Sequence, residues 1–375
     1  MSFIKSPRIL VAPLDWGLGH AARCIPVIKE LIRQEAEVIL YGSAHVLNYL
    51  QKHFPHLEQI QSNDQEIHYS KHLPAWLKIL LQANKINKNI KLEYTNLQSL
   101  IKTRQIDAVI SDNRYGCYSN TIPCIFITHQ LNPRAPQNLG FLRKSIQHKI
   151  TDWTSNFEEI WIPDLPGSHS LSLDLSFSES KNPLLKHIGI LSRFASNQIV
   201  HNKPNGYLAI ISGPEPQRTL FFQELLRIRN SLSLEMTFII DKISNKVSSD
   251  EMYNMRILVQ PHNDEFLQEI SNAKHIVCRS GYSSLMDLIR LKRTALFIPT
   301  PGQTEQEYLA EESVKWGFGY RKQSSLKAIK SIEDWESCFK SNEQFSGTFP
   351  EEENQSHVLL KNAVSDFLNT INRTE

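Results

Sequence analysis

The sequence lacks a leader-like opening. Its first apolar run, Ile9–Ala12, is cut short by Pro13 and Asp15, too soon for a secretory h-region or a membrane span, so a cytoplasmic protein is expected. Cysteine is sparse as well: Cys24, Cys117, Cys124, Cys278 and Cys338 are scattered, odd in number and without metal-ligand spacing. That excludes a disulfide framework and points to reduced structural thiols, with no metal site. Charge of one sign is missing too, since 41 Lys and Arg against 39 Asp and Glu leave a net +2. Nucleic acid, which calls for a strongly basic face, is therefore no expected partner. What is present is ordinary for a soluble globular protein, 41% hydrophobic and 21% charged residues. At 375 residues the chain suits two domains better than one core.

The first half reads as strands feeding polar turns. Arg8–Ala12 is a buried strand that runs into Gly17-Leu18-Gly19-His20, and Cys24–Ile32 follows with Ile25, Ile28, Leu31 and Ile32 on one helical face. Gly17-x-Gly19-x-x-Ala22 satisfies a dinucleotide fingerprint, which also wants an acid about 20 residues on, at the end of the second strand. The strand Glu37–Tyr41 ends instead in Gly42-Ser43, so a nicotinamide or flavin cofactor is not expected. Asp107–Ser111 and Ile122–Thr128 are further strands, followed by Asp112-Asn113-Arg114 and by His129-Gln130-Leu131-Asn132. Asp112 reads equally as a helix cap or an acid/base, and His20 as a turn residue or a base kept neutral by the helix dipole. Leu73–Lys91 and Phe141–Lys149 mix apolar and basic residues. The first fits a packed helix with a solvated basic face or an anionic membrane surface, and the second points to neither. Asp164–Asn182 reads as a loop, and the polar run Ser196–Asn205 as the domain boundary.

The second half centres on Cys278–Gly317. His275–Cys278 is a strand, Arg279-Ser280-Gly281 a turn, and Leu285, Leu288, Ile289 and Leu291 fall at helical spacing. Ala295–Ile298 repeats the strand, Pro299–Gly302 breaks it, and Tyr308–Trp316 resumes a helix closed by Gly317. Tandem βα units predict parallel strands with ligand-binding loops at their carboxyl ends. Ser280, Gly281, Ser283 and Ser284 fit an anion at a helix N-terminus, with Asp287 one turn on to accept from ribose hydroxyls and Gln303, Glu305 and Gln306 suited to sugar hydroxyls. The plainer alternative makes Ser283 and Ser284 caps and the acids a solvated face.

Cys278–Gly281, an acid at Asp287, Ala295–Pro299 and Gln306 ahead of Tyr308 resemble the C-terminal half of family 28 glycosyltransferases, above all the UDP-N-acetylglucosaminyltransferases of peptidoglycan lipid assembly. The glycine-rich loop ending in His20 is similar to that of two-Rossmann (GT-B) transferases, although Asp15-Trp16 stands where further glycines are usual. The resemblance implies an α/β fold of two Rossmann-like domains facing a deep cleft: residues 1–193 on the acceptor side, joined by a C-terminal helix at 354–375, and residues 194–353 binding a nucleotide-sugar donor. It implies an inverting hexosyl transfer that needs no metal or cofactor, with His20 or Asp112 as base. Gly17, Gly19, Asn113, Arg114, His129 and Asn132 would face a small or lipid-linked acceptor, peripheral to a membrane in the latter case. Arg193, four residues after Gly189, would clamp the donor diphosphate, with Ser212, Gly213 and Arg218 cradling it; His262 would stack on the base or cap the next helix. An epimerase or hydrolase on the same fold, or a non-catalytic nucleotide-binding protein, would share the donor residues.

Overall fold

A computed structural model describes the chain except residues 1–5, 16, 63–82, 135–139, 177–184, 195–203, 242–254, 341–348, 351–354 and 372–375. The described chain divides into two compact units, Phe194–Pro350 forming the second, and residues through Arg193 forming the first together with the C-terminal segment.

The first unit contains β1 (Arg8–Pro13), α1 (Leu18–Arg33), β2 (Glu37–Gly42), α2 (Ala44–Gln51), β3 (Glu58–Gln61), α3 (Ala83–Arg104), β4 (Ala108–Asp112), β5 (Cys124–Ile127), α4 (Gly140–Thr154), β6 (Glu159–Ile162) and β7 (Leu185–His187). Its seven strands lie in the order β3-β2-β1-β4-β5-β6-β7, and every pairing is parallel. Because both faces are covered, the central strands are apolar throughout: Ile9, Leu10, Val11 and Ala12 are fully buried. The helix expected from Cys24 begins earlier, at Leu18, because Gly17 takes the N-cap with φ 103° and turns the chain at once. His20 is therefore inside the first turn of α1.

The second unit repeats the plan with β8 (Asn205–Ile211), α5 (Gln217–Leu232), β9 (Met236–Ile240), β10 (Ile257–Val259), α6 (Asn263–Asn272), β11 (Ala273–Cys278), α7 (Tyr282–Arg290), β12 (Leu296–Phe297), α8 (Thr304–Glu312), β13 (Gly319–Tyr320) and α9 (Ile332–Ser337). The strand order is β10-β9-β8-β11-β12-β13, again all parallel. Phe221, Phe238, Trp335 and Phe339 fill its core. The helix expected at Tyr308–Trp316 starts at Thr304 and finishes as a 3-10 turn, Ser313–Trp316, closed by Gly317 at φ 80°.

The last helix, α10 (Gln355–Ile371), belongs to the first unit. Its Phe367 ring meets Trp161 edge-on at 5.9 Å, and Gln34, the C-cap of α1, donates to Lys361 O and accepts from Ser365 Oγ. All five cysteines are buried free thiols. No described helix is long and apolar enough to cross a membrane. Most of the basic-apolar stretch Leu73–Lys91 and nearly all of the boundary run Ser196–Asn205 lie outside the described residues, as do the Phe141–Ser145 side chains.

Candidate active site

In both sheets the strand order reverses between two neighbours, β1 and β4 in the first unit and β8 and β11 in the second. The carboxyl ends of such strand pairs are where open α/β sheets receive ligands, because the following loops diverge to opposite faces. His20 and Asp112 lie at the first of these points, and Ser212, Gly213, Ser280 and Gly281 at the second.

In the first unit, Asp112 closes β4 in register with Pro13 of β1. His20 comes to it from α1, its Nδ1 2.9 Å from Asp112 Oδ1. Asp112 is fully buried while the His20 side chain keeps 17% exposure, so only the imidazole is reachable from solvent. Behind them lies Arg23, 2% exposed. Its Nε donates to Asp112 Oδ2 at 2.6 Å, and its Nη2 donates to Oδ1, a bidentate fork. The same Nη2 is 3.0 Å from His20 Nδ1, and Nη1 is 3.3 Å from Nδ1 of buried His129. Burial alone would raise the Asp112 carboxyl, but Arg23 and then His20 overcome it and hold the group well below the usual carboxylate range. Burial and the Arg23 charge push His20 below its ordinary value, against the pull of Asp112.

This corrects one expectation. Asp112 cannot itself take a proton from an acceptor, being covered and engaged on both oxygens, and its place is behind His20. Arg23 was missed, although one signal pointed to it: a lone arginine among Ala21, Ala22, Cys24 and Ile25 on the buried face of a helix, one turn after His20.

The other acceptor-side residues divide. Gly17 caps α1 and Gly19 lies in its first turn, and Asn113 adopts φ 56° just past β4. Arg114, by contrast, is 1% exposed, paired with Glu93 at 3.2 Å and set 4.8 Å over the Tyr41 ring. It packs between Glu93 of α3 and the Tyr41 ring of β2. Asn132 is also buried and braces the loop after β6, bonding Leu175 O and Asp174 O. Arg193 donates to the Tyr49 hydroxyl of α2 at 3.1 Å. Asp15, where related loops carry glycine, accepts from Ser43 Oγ and lies 3.5 Å from His45 Nδ1; His45 first, and Ser43 with it, keep its carboxyl low against burial.

In the second unit, Ser212 and Gly213 follow β8, and Arg279, Ser280 and Gly281 follow β11. Gly281 is the N-cap of α7, so Ser283 and Ser284 stand inside the first turn and do not cap it. Asp287 lies one turn on, 6% exposed. Gly213 has φ 103° with open space where a side chain would be. His262 occupies the N-cap of α6 and Gln303 that of α8, neither giving a side-chain cap bond; Glu305 is in the first turn of α8.

Three assignments change. Ser280 is fully buried and donates to Gln306 O at 2.7 Å, while Gln306 Oε1 accepts from Thr300 N at 2.8 Å. Ser280 therefore ties the turn after β11 to α8, and the Gln306 side chain braces its own β12–α8 loop, so both are engaged within the protein. Arg218 pairs with Glu215 at 2.9 Å and Asp241 at 3.1 Å, which neutralises it against an anion. Arg279, given no role by the sequence, is the central tie: Nη1 donates to Ile298 O and Pro299 O, Nη2 to Gln217 O, and its guanidinium lies 4.0 Å over Phe221. Among the described residues, no group of three or more His, Cys, Asp or Glu is arranged to hold a metal ion.

The profile of the glycosyltransferase family 28 C-terminal domain matches residues 231–346. An uncharacterized glycosyltransferase of Methanosarcina mazei is 23% identical over 340 residues, 83% of this chain and 84% of that protein. Among solved structures, Acinetobacter baumannii MurG superposes with TM-score 0.53 at 14% identity, over 96% of this chain and 100% of the other. An S. aureus MnaA–UDP structure gives 0.59 at 12%, over 97% of each. Two all-parallel sheets, alike in the order of their first six strands, give the chain the GT-B fold of these neighbours, and with a family 28 C-terminal domain in its second half the chain is a glycosyltransferase.

Proposed function

We propose that the protein transfers a hexose from a nucleoside-diphosphate sugar, UDP-linked in the first instance, to an acceptor hydroxyl with inversion at the anomeric carbon. The observation that carries this is His20 on buried Asp112 at the β1/β4 switch point. A proton on Nδ1, facing the carboxylate, leaves the Nε2 lone pair to accept the proton of a hydroxyl as its oxygen attacks the anomeric carbon. The C1–O bond to the diphosphate breaks, and the nucleoside diphosphate departs with the electron pair. The first turn of α7 is the proposed seat of that diphosphate, since a helix N-terminus favours negative charge. Asp287 is the proposed ribose acceptor. The mechanism calls for no resident cofactor or metal. UDP comes from the bound nucleotide named for the S. aureus neighbour. The family resemblance makes UDP-N-acetylglucosamine and a glycolipid or cell-envelope hydroxyl the first pair to assay, with the membrane surface as the place such an acceptor is met.

Donor binding is tested by melting the protein with uridine, guanosine and thymidine diphosphate sugars. A ligand at 100 times its Kd adds about 2.7 kcal/mol and raises Tm. Asp287→Ala is expected to weaken UDP at least about tenfold, the loss of one to two charge-assisted hydrogen bonds. Unchanged UDP affinity in that variant would remove the donor site from α7.

A further inference from the structure

Arg23 takes no part in the proton transfer above, yet it is buried and touches Asp112, His20 and His129 at once. We propose that Arg23 is a positioning residue that fixes the Asp112 carboxylate and holds His20 neutral with its proton on Nδ1, the form that acts as a base. The inference rests on the reading of His20 as that base.

The geometry favours one proton arrangement. A guanidinium only donates. His20 Nδ1 lies 2.9 Å from a carboxylate oxygen, where two facing lone pairs would repel, so a proton sits between them. In that tautomer Nη2, 3.0 Å from the same nitrogen, donates nothing to it and acts by charge alone. Protonating Nε2 as well would create an imidazolium beside a guanidinium, with one carboxylate between them. Without Arg23 the same carboxylate would belong to His20 alone and would favour the imidazolium, which is no base. The remaining groups facing the pair leave the direction of this balance unchanged, His129 pushing His20 the same way as Arg23. His129 is in contact with Arg23, and the Cys24 thiol, 3.5 Å from Asp112 Oδ2, is kept protonated by burial and the neighbouring carboxylate. The lowered His20 pKa, caused by burial and Arg23, agrees with the arrangement.

The test uses the full chain labelled with 15N-histidine, His20→Gln serving to assign the resonances. Wild-type His20 is expected as the Nδ1–H tautomer, titrating below the ordinary value of 6.5. In Arg23→Gln the midpoint should rise by about one unit or more, a tenfold change in acid constant. A folded Arg23→Gln protein whose His20 titrates as in wild type overturns the inference. Should that variant not fold, wild-type His20 decides: a midpoint at or above about 6.5, or a proton on Nε2, overturns the inference. None of these measurements uses a substrate. A fully active His20→Ala enzyme, which would sink the base assignment, is thus distinguishable from failure of the Arg23 role.

Discussion

His20→Ala is expected to lower turnover by about 10²- to 10⁴-fold, the span a positioned general base contributes, while the Tm rise given by UDP stays as in wild type. The two readouts separate because His20 lies at the switch point of the first unit and the proposed diphosphate seat at that of the second. Asp112→Asn should also be impaired, for a different reason. An amide in place of the carboxylate can donate to Nδ1, which moves the imidazole proton to Nε2 and removes the base. The pH profile supplies a further check. His20 acts in its neutral form, and burial followed by Arg23 lowers the pKa of its conjugate acid. Activity should therefore persist as pH falls through about 6.5 and decline only below it. An acid limb above that value, or a His20→Ala enzyme with wild-type turnover, would place the base elsewhere.

The sequence carried the two-sheet plan because buried parallel strands advertise themselves. RILVA, DAVIS and YLAII each hold a run of three or more consecutive apolar residues, and each leads into a polar turn. Three of the four edge strands left no such trace. Glu58–Gln61, Leu185–His187 and Gly319–Tyr320 are short and partly polar, and only pairing with a neighbour makes them strands. At the candidate site, His20 and Asp112 were legible as residues following strands, but their division of labour was not. It depends on Asp112 being covered and on Arg23 arriving from one turn further along α1, and both are facts of packing. Ser280 and Gln306 show the converse. Their types suit a ligand, but the turn after β11 stands close enough to α8 for Ser280 to bond Gln306 O, while the Gln306 side chain turns back to Thr300 N of its own loop, and no local pattern reveals either contact.

Gly189→Ala should destabilise the first unit by about 3 kcal/mol, combining about 1–2 kcal/mol for a left-handed non-glycine residue with about 1–3 for overpacking. The sequence marked Gly189 only as a linker glycine four residues before Arg193. The structure gives it φ 79° and places Ser356 of α10 where its side chain would be, an added Cβ falling 2.4 Å from Ser356 Cα and 2.6 Å from its Cβ. A backbone atom cannot swing aside as a side chain can, so α10 itself would have to lift. Lifting it would strain the bond from Ile190 N to Ser356 Oγ, 2.8 Å long, and loosen Phe367 from Trp161. Gly167 is the control, because its φ is 71° but nothing lies within 4 Å of an added Cβ. Gly167→Ala should show the conformational part alone, about 1–2 kcal/mol. Urea unfolding followed by circular dichroism measures both, and the transition of the second unit should stay in place. Equal losses at the two glycines would mean that α10 yields without cost, and that its seat on the first unit is far softer than the contact at Ser356 implies.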